Sequence, residues 1–64
     1  MGLIYSNVEE LAKKKGISLS ELERRAEMSK GSISKWKTSS PTIGNLSAVA
    51  SVLGVTVNRL LKEQ

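Results

Sequence analysis

The sequence predicts an all-α fold, a compact bundle of five short helices. Apolar residues recur at spacings of three and four residues, and no stretch alternates apolar and polar residues for long enough to indicate a strand. Residues that cap or break helices separate the apolar stretches from one another. The 64 residues are enough for one domain, and 39% of them are hydrophobic. We therefore expect residues 1–64 to form a single domain around one core.

The first predicted helix ends at Lys15, because Gly16 follows it and glycine commonly terminates helices. Two starting points are open. Ser6 and Glu9 have the spacing of a capping box, which would start the helix at Ser6. The helical pattern, however, also continues back to Leu3.

The second and third predicted helices lie close together in the sequence. Ser18 and Glu21 match the capping box, and the helix that they begin runs to about Ala26. Three residues later, Ser29 is the candidate N-cap of a third helix over Lys30–Lys37. A short turn therefore joins two capped helices, the arrangement called a helix-turn-helix.

Two more helices complete the prediction. After a loop over residues 38–41, Thr42 is the candidate cap of the fourth helix, which Gly54 ends. Thr56 is the candidate cap of a fifth, short helix that ends near Leu61.

The net charge of +4 is unevenly distributed. Basic and acidic residues balance in the first 27 positions, whereas residues 28–62 contain no acid. A basic excess can simply aid solubility, but its position on the predicted second helix of the motif favours a polyanionic partner. The basic residues of this stretch are Lys30, Lys35, Lys37, Arg59 and Lys62.

The residue types that are missing exclude several kinds of chemistry. The chain has no histidine, aspartate or cysteine, so it contains no catalytic triad, no histidine general base and no His/Cys metal site. We expect no enzyme activity and no cofactor. The lack of cysteine fits a reducing compartment, and no stretch is apolar enough to span a membrane, so we expect a location in the bacterial cytoplasm.

Three sequence stretches resemble those of the lambda-repressor-like family of phage repressors, Cro proteins and related bacterial regulators. They are ISLSEL at Ile17–Leu22, MSKGSISKW at Met28–Trp36 and LSAVASVLGVTVNRLL at Leu46–Leu61. The resemblance covers Val8–Leu61, which is most of the chain. It implies a helix-turn-helix in the second and third helices and sequence-specific binding to double-stranded DNA.

Three positions depart from the pattern of that family. Glu23 stands where the family usually has alanine, because the helices approach closely there, and Glu27 stands where it usually has glycine in a left-handed turn. We expect these two changes to lower stability or to alter the turn. Leu19 stands where a glutamine often contacts phosphate, so we expect that contact to be missing.

The resemblance also implies which residues meet DNA. The beginning of the recognition helix should read base edges, which selects Lys30 and Gly31. Ser34 and Lys35 lie about one turn further along on the same face and are selected with them. Lysine donates to O6 and N7 of guanine, and serine pairs with several bases. For each lysine the alternative is a solvated charge, and for Gly31 it is simply a weaker helix. Candidates for phosphate contacts are Ser29, Ser32, Lys37, Thr38, Ser39 and Thr42.

The sequence therefore predicts a transcriptional regulator, expected to be a homodimeric repressor of Cro type from a phage, a prophage or a bacterium. Two alternatives stay open. An antitoxin or adaptor would keep the fold and use the face of the third helix on a protein. A nonspecific nucleic-acid binder would show strong salt dependence without sequence discrimination.

We expect Trp36 to lie in the core, since its spacing from Ile33 places both on one side of the helix.

Overall fold

The computed structural model describes residues 3–62, and within them the chain is all-helical with no strand. The predicted fold class is confirmed, but residues 3–62 contain four α-helices and not the five expected. Within the described residues, no helix combines the length and the apolar character that crossing a membrane requires. The elements in order are α1 (Leu3–Lys15), α2 (Leu19–Arg25), a 3-10 helix (Ser34–Lys37), α3 (Ile43–Leu53) and α4 (Val57–Leu61).

Three of the predicted N-caps are confirmed. The side-chain oxygens of Ser18, Thr42 and Thr56 each accept a hydrogen bond from the backbone N–H three residues later, at 3.1, 3.2 and 3.2 Å. These bonds satisfy N–H groups that have no partner inside the helix. The predicted end of α3 is also confirmed, since Gly54 has a φ of 72° and closes the helix in the left-handed conformation.

Of the two starting points that the sequence left open for α1, the earlier one at Leu3 is confirmed, and the capping box at Ser6 and Glu9 is not formed. The helix is already formed at Leu3, so Ser6 lies inside α1 and has no helix terminus to cap. The earlier start has a packing reason, because Ile4 and Tyr5 in the first turn are half-buried against the core. Burial of apolar surface there favours the longer helix.

The Glu21 carboxylate accepts hydrogen bonds from Arg24 and Arg25, one turn further along α2. The Arg24 guanidinium, and then that of Arg25, hold the pKa of Glu21 below its usual value. A lowered folded-state pKa means that the interaction stabilises the fold above the pKa of an unfolded glutamate. This contribution is lost as the pH falls through the lowered value.

An aliphatic core lies between α1 and the other elements, because α1 packs against α2, the 3-10 helix, α3 and α4. Trp36 is 6% exposed, so its predicted place in the core is confirmed. The buried hydrophobic residues are Val8, Ala12, Leu22, Ile33, Trp36, Leu46, Val49, Ala50, Leu53 and Leu60.

Asn7 is fully buried among these apolar residues. Its Nδ2 donates to the backbone oxygens of Leu60 and Lys62, at 2.7 and 2.8 Å. The last carbonyls of a helix lack intrahelical partners, so a buried amide that reaches them satisfies both sides. Asn7 therefore joins the beginning of α1 to the end of α4.

The α-helix predicted over Lys30–Lys37 with Ser29 as its cap is wrong. Residues 30–33 form turns, and only Ser34–Lys37 is helical, as a 3-10 helix without a side-chain cap. The backbone of Gly31 explains the difference, because its φ of +85° lies outside the right-handed helical region. An α-helix cannot continue through a residue in that conformation.

The turn after α2 contains a non-glycine residue with a positive φ, Glu27 at 59°. The left-handed conformation expected at this position is confirmed. It places an unfavourable contact between Cβ and the backbone that glycine would not have.

Glu27→Gly is expected to raise the free energy of unfolding by about 0.5–1 kcal/mol, because relief of the left-handed strain outweighs the greater freedom of glycine in the unfolded chain. The matched control is Glu9→Gly, an exposed position inside α1, which should lower the same quantity by about 1 kcal/mol. Urea unfolding midpoints measure both. A lower midpoint for Glu27→Gly would show that this side chain makes a stabilising contact.

Asn7→Leu is expected to lower the free energy of unfolding by about 1–3 kcal/mol, because the carbonyls at the end of α4 lose a buried donor. Asn58→Leu, at an exposed position of α4, is the control and should change it by less than about 0.5 kcal/mol. Thermal unfolding followed by circular dichroism compares the two variants. Equal transition temperatures would contradict the role given to Asn7.

Candidate nucleic-acid interface

The second half of the helix-turn-helix is the stretch Ser29–Lys37, here called the recognition segment. Ile33 is fully buried and Trp36 is nearly so, and together they anchor the segment in the core. Their spacing of three residues matches one turn of a 3-10 helix, so both point to the same side. The residues between them, Ser34 and Lys35, are exposed. The segment therefore has one side in the core and one side facing solvent.

Three of the four predicted base-reading residues, Lys30, Ser34 and Lys35, have exposed side chains. Gly31 differs from them, because it is half-buried and its N–H donates inward to the protein. A Cβ built on Gly31 would meet no atom within 4 Å, so the protein does not need glycine there for space. The positive φ of the turn is what favours glycine at this position.

The carboxylate of Glu23 lies between α2 and the recognition segment and is 5% exposed. Its two oxygens accept hydrogen bonds from the N–H groups of Gly31 and Ile33, at 3.1 and 3.0 Å. The sequence left open whether Glu23 lowers stability or alters the turn. The carboxylate bonds to the backbone of the turn directly. It accepts the hydrogen bond of the Gly31 N–H, one of the groups that a capping Ser29 hydroxyl was expected to bond.

The ammonium group of Lys37 lies 5.2 Å from the centre of the Tyr5 ring, which is a cation–π contact between the 3-10 helix and α1. Lys37 remains exposed, so its charge still contributes to this surface. The contact restricts where the ammonium can lie, namely at the edge of the segment beside α1.

The predicted phosphate-contacting residues lie before, at the end of and after the 3-10 helix in the sequence. Most are exposed, and Ser32 is half-buried. The hydroxyl oxygen of Thr42 accepts the capping hydrogen bond of α3, which leaves its hydrogen available for a further acceptor. The exposed members of this set are Ser29, Lys37, Thr38, Ser39 and Thr42.

The charge of this surface follows from these placements. The recognition segment itself contains no acidic residue. The carboxylate that bonds to its backbone, that of Glu23, is buried. Lys30, Lys35 and Lys37 are all exposed. The side that faces solvent is therefore positive, as binding to a phosphate backbone requires.

Sequence reasoning missed three residues that shape this part of the molecule. The sequence marks Glu23 only as a departure from the family pattern, gives no sign of the contacts of Asn7, and does not connect Tyr5 with Lys37. The partners of Glu23 are 8 and 10 residues away, and those of Asn7 are 53 and 55 residues away. No periodic pattern reports such pairs. The one available signal was an acid directly after the buried Leu22 in a short helix.

A capped helix, a tight turn and a second, basic segment anchored on a shared core define a small helix-turn-helix DNA-binding protein. The family model of the Cro/C1-type helix-turn-helix matches residues 8–60, so the chain belongs to that family. The resemblance inferred from the sequence is thereby confirmed. No curated protein and no solved structure matches the chain significantly. Membership of this family makes the chain a DNA-binding transcription regulator of the Cro/C1 type.

Proposed function

We propose that the chain binds one specific operator sequence in double-stranded DNA and represses transcription in a phage, a prophage or a bacterium. The observation that carries this proposal is the recognition segment, whose apolar side is buried while its basic side is exposed and free of acids. The major groove of B-DNA is about 12 Å wide and admits a helical element, so we assign the exposed side of this segment to that groove.

Base reading is assigned to the exposed side of this segment. Lys30 and Lys35 carry donors suited to O6 and N7 of guanine, and the Ser34 hydroxyl can donate or accept. Gly31 is assigned a different part, since its N–H is already bonded to Glu23. Its missing side chain leaves open space, which allows the backbone to approach a base edge.

Phosphate contacts are assigned to the residues around the base-reading group. These contacts fix the position of the protein on the duplex and carry no sequence information directly. Thr42 stands at the N-terminus of α3, where partial positive charge favours an anion. The assigned residues are Ser29, Ser32, Lys37, Thr38, Ser39 and Thr42.

Lys35→Ala and Lys37→Ala are expected to fail in different ways. Loss of Lys35 should weaken binding to the preferred operator by about 1–3 kcal/mol and relax the preference at one base pair. Loss of Lys37, which lies at the edge beside Tyr5, should weaken binding to all duplexes about equally and reduce the salt slope by about one. Fluorescence anisotropy with the operator and a scrambled duplex, at two salt concentrations, measures both effects.

The control for these variants is Lys14→Ala, which removes an exposed lysine of α1 outside the helix-turn-helix. It should change binding less than either variant. Equal losses on both duplexes for Lys35→Ala and Lys37→Ala would favour the nonspecific binder. No loss from either variant would favour a protein partner, as for an antitoxin or adaptor.

We also expect two copies of the chain to bind one operator as a homodimer. The molecule measures 25 × 22 × 18 Å, whereas successive turns of one groove lie about 34 Å apart, so one copy reaches a single half-site. Footprinting should show two protected half-sites about one helical turn apart. A single protected half-site in a complex of one chain per duplex would contradict the dimer.

A further inference from the structure

Among the described residues, Glu23 is the one acidic residue with a buried side chain. Its hydrogen-bond partners lie outside α2, in the recognition segment. Its oxygens receive the N–H groups of Gly31 and Ile33, 8 and 10 residues further along. Both bonds run from α2 into the recognition segment. Together they attach the segment to α2 through polar contacts, in addition to the apolar contacts of Ile33 in the core.

The position of these bonds determines which residues they orient. Lys30 directly precedes the first bonded N–H, and Ser34 directly follows the second. No side chain within the segment caps the start of the 3-10 helix. Gly31, between Lys30 and Ser34, has a positive φ, a conformation that residues other than glycine rarely adopt. A backbone bond from the Ser32 N–H to the Ser29 oxygen closes the turn around Gly31, at 3.1 Å. The Glu23 carboxylate is the side-chain group that ties this turn to α2, through the N–H groups of Gly31 and Ile33.

We propose that Glu23 is a positioning residue for sequence selectivity: it orients Lys30 and Ser34 toward the bases without touching DNA. This inference rests on the proposed operator binding. A carboxylate suits this task, because it offers an acceptor to each of the two N–H groups and has no donor to oppose them. Charge-assisted hydrogen bonds to backbone N–H groups are also stronger than neutral ones.

Electrostatics and positioning predict opposite effects when this charge is removed. A negative charge beneath a DNA-binding surface repels phosphate, so its loss by itself should strengthen binding to every duplex. Loss of positioning should instead weaken binding to the operator alone. The two contributions can therefore be separated by comparing the operator with a scrambled duplex.

The test uses the full chain with Glu23→Gln, and with Glu27→Gln as the matched control. Both variants lose one negative charge next to the recognition segment, but Glu27 is exposed. In Glu23→Gln one oxygen can still accept, whereas the amide NH2 group faces a backbone N–H, so one bond is replaced by repulsion. The duplexes are an operator selected from random DNA by the unchanged chain and its scrambled version.

We expect Glu23→Gln to reduce the ratio of operator affinity to scrambled-duplex affinity by about tenfold, the discrimination of a single base-pair contact. Glu27→Gln should leave this ratio unchanged while raising both affinities. An unchanged ratio in a folded Glu23→Gln variant would overturn the positioning role. A lack of discrimination by the unchanged chain would instead contradict the proposed operator binding, and the positioning role with it.

Amide hydrogen exchange measured by NMR without DNA separates a local effect from loss of the fold. In Glu23→Gln the Gly31 and Ile33 amides should exchange faster, while that of Val49 in α3 should stay protected. Equal protection of the two amides in both proteins would overturn the role of the carboxylate.

If Glu23→Gln does not fold, Glu23→Asp replaces it in the binding experiment. Aspartate keeps the charge, but its side chain is one methylene shorter, so we expect it not to bond both N–H groups. It should lower the selectivity ratio, and an unchanged ratio would overturn the proposal.

Discussion

Two hydrogen bonds from the backbone of the recognition segment to the carboxylate of Glu23 determine how the basic surface is held. Burying an ionised carboxylate costs free energy unless its oxygens find donors, and the Gly31 and Ile33 N–H groups supply them. The same bonds satisfy donors at a turn that no local side chain caps. The helix-turn-helix therefore consists of two elements that share a polar contact as well as a core.

The same principle recurs where α1 meets the end of α4. Asn7 and Glu23 are the buried polar residues among those that the structure describes, and each one bonds to the backbone of a different element. In a chain of this length the aliphatic core is small, and apolar packing alone tolerates small shifts between helices. Directional bonds between elements restrict such shifts. These two residues thus specify the arrangement that the core stabilises.

Membership of the Cro/C1-type helix-turn-helix family agrees with the electrostatics of the surface. Exposed lysines stand on the solvent side of the recognition segment, and its one bonded carboxylate is on the protein side. Lys37 is drawn toward Tyr5 at the edge, whereas Lys30 and Lys35 have no such ring contact among the described residues. This contact at the edge of the segment agrees with the different roles proposed for Lys37 and for Lys30 and Lys35.

What the sequence by itself determined is local. The caps at Ser18, Thr42 and Thr56 involve partners three residues away, so they can be read directly from spacing. The all-α class and the burial of Trp36 can be predicted from apolar residues that recur at spacings of three and four residues. Only the tertiary structure decided the rest: that the predicted third helix is a turn and a 3-10 helix, and that Glu23 and Asn7 join separate elements. The physical reason is that these features depend on hydrogen bonds between residues brought together by packing, which no sequence spacing encodes.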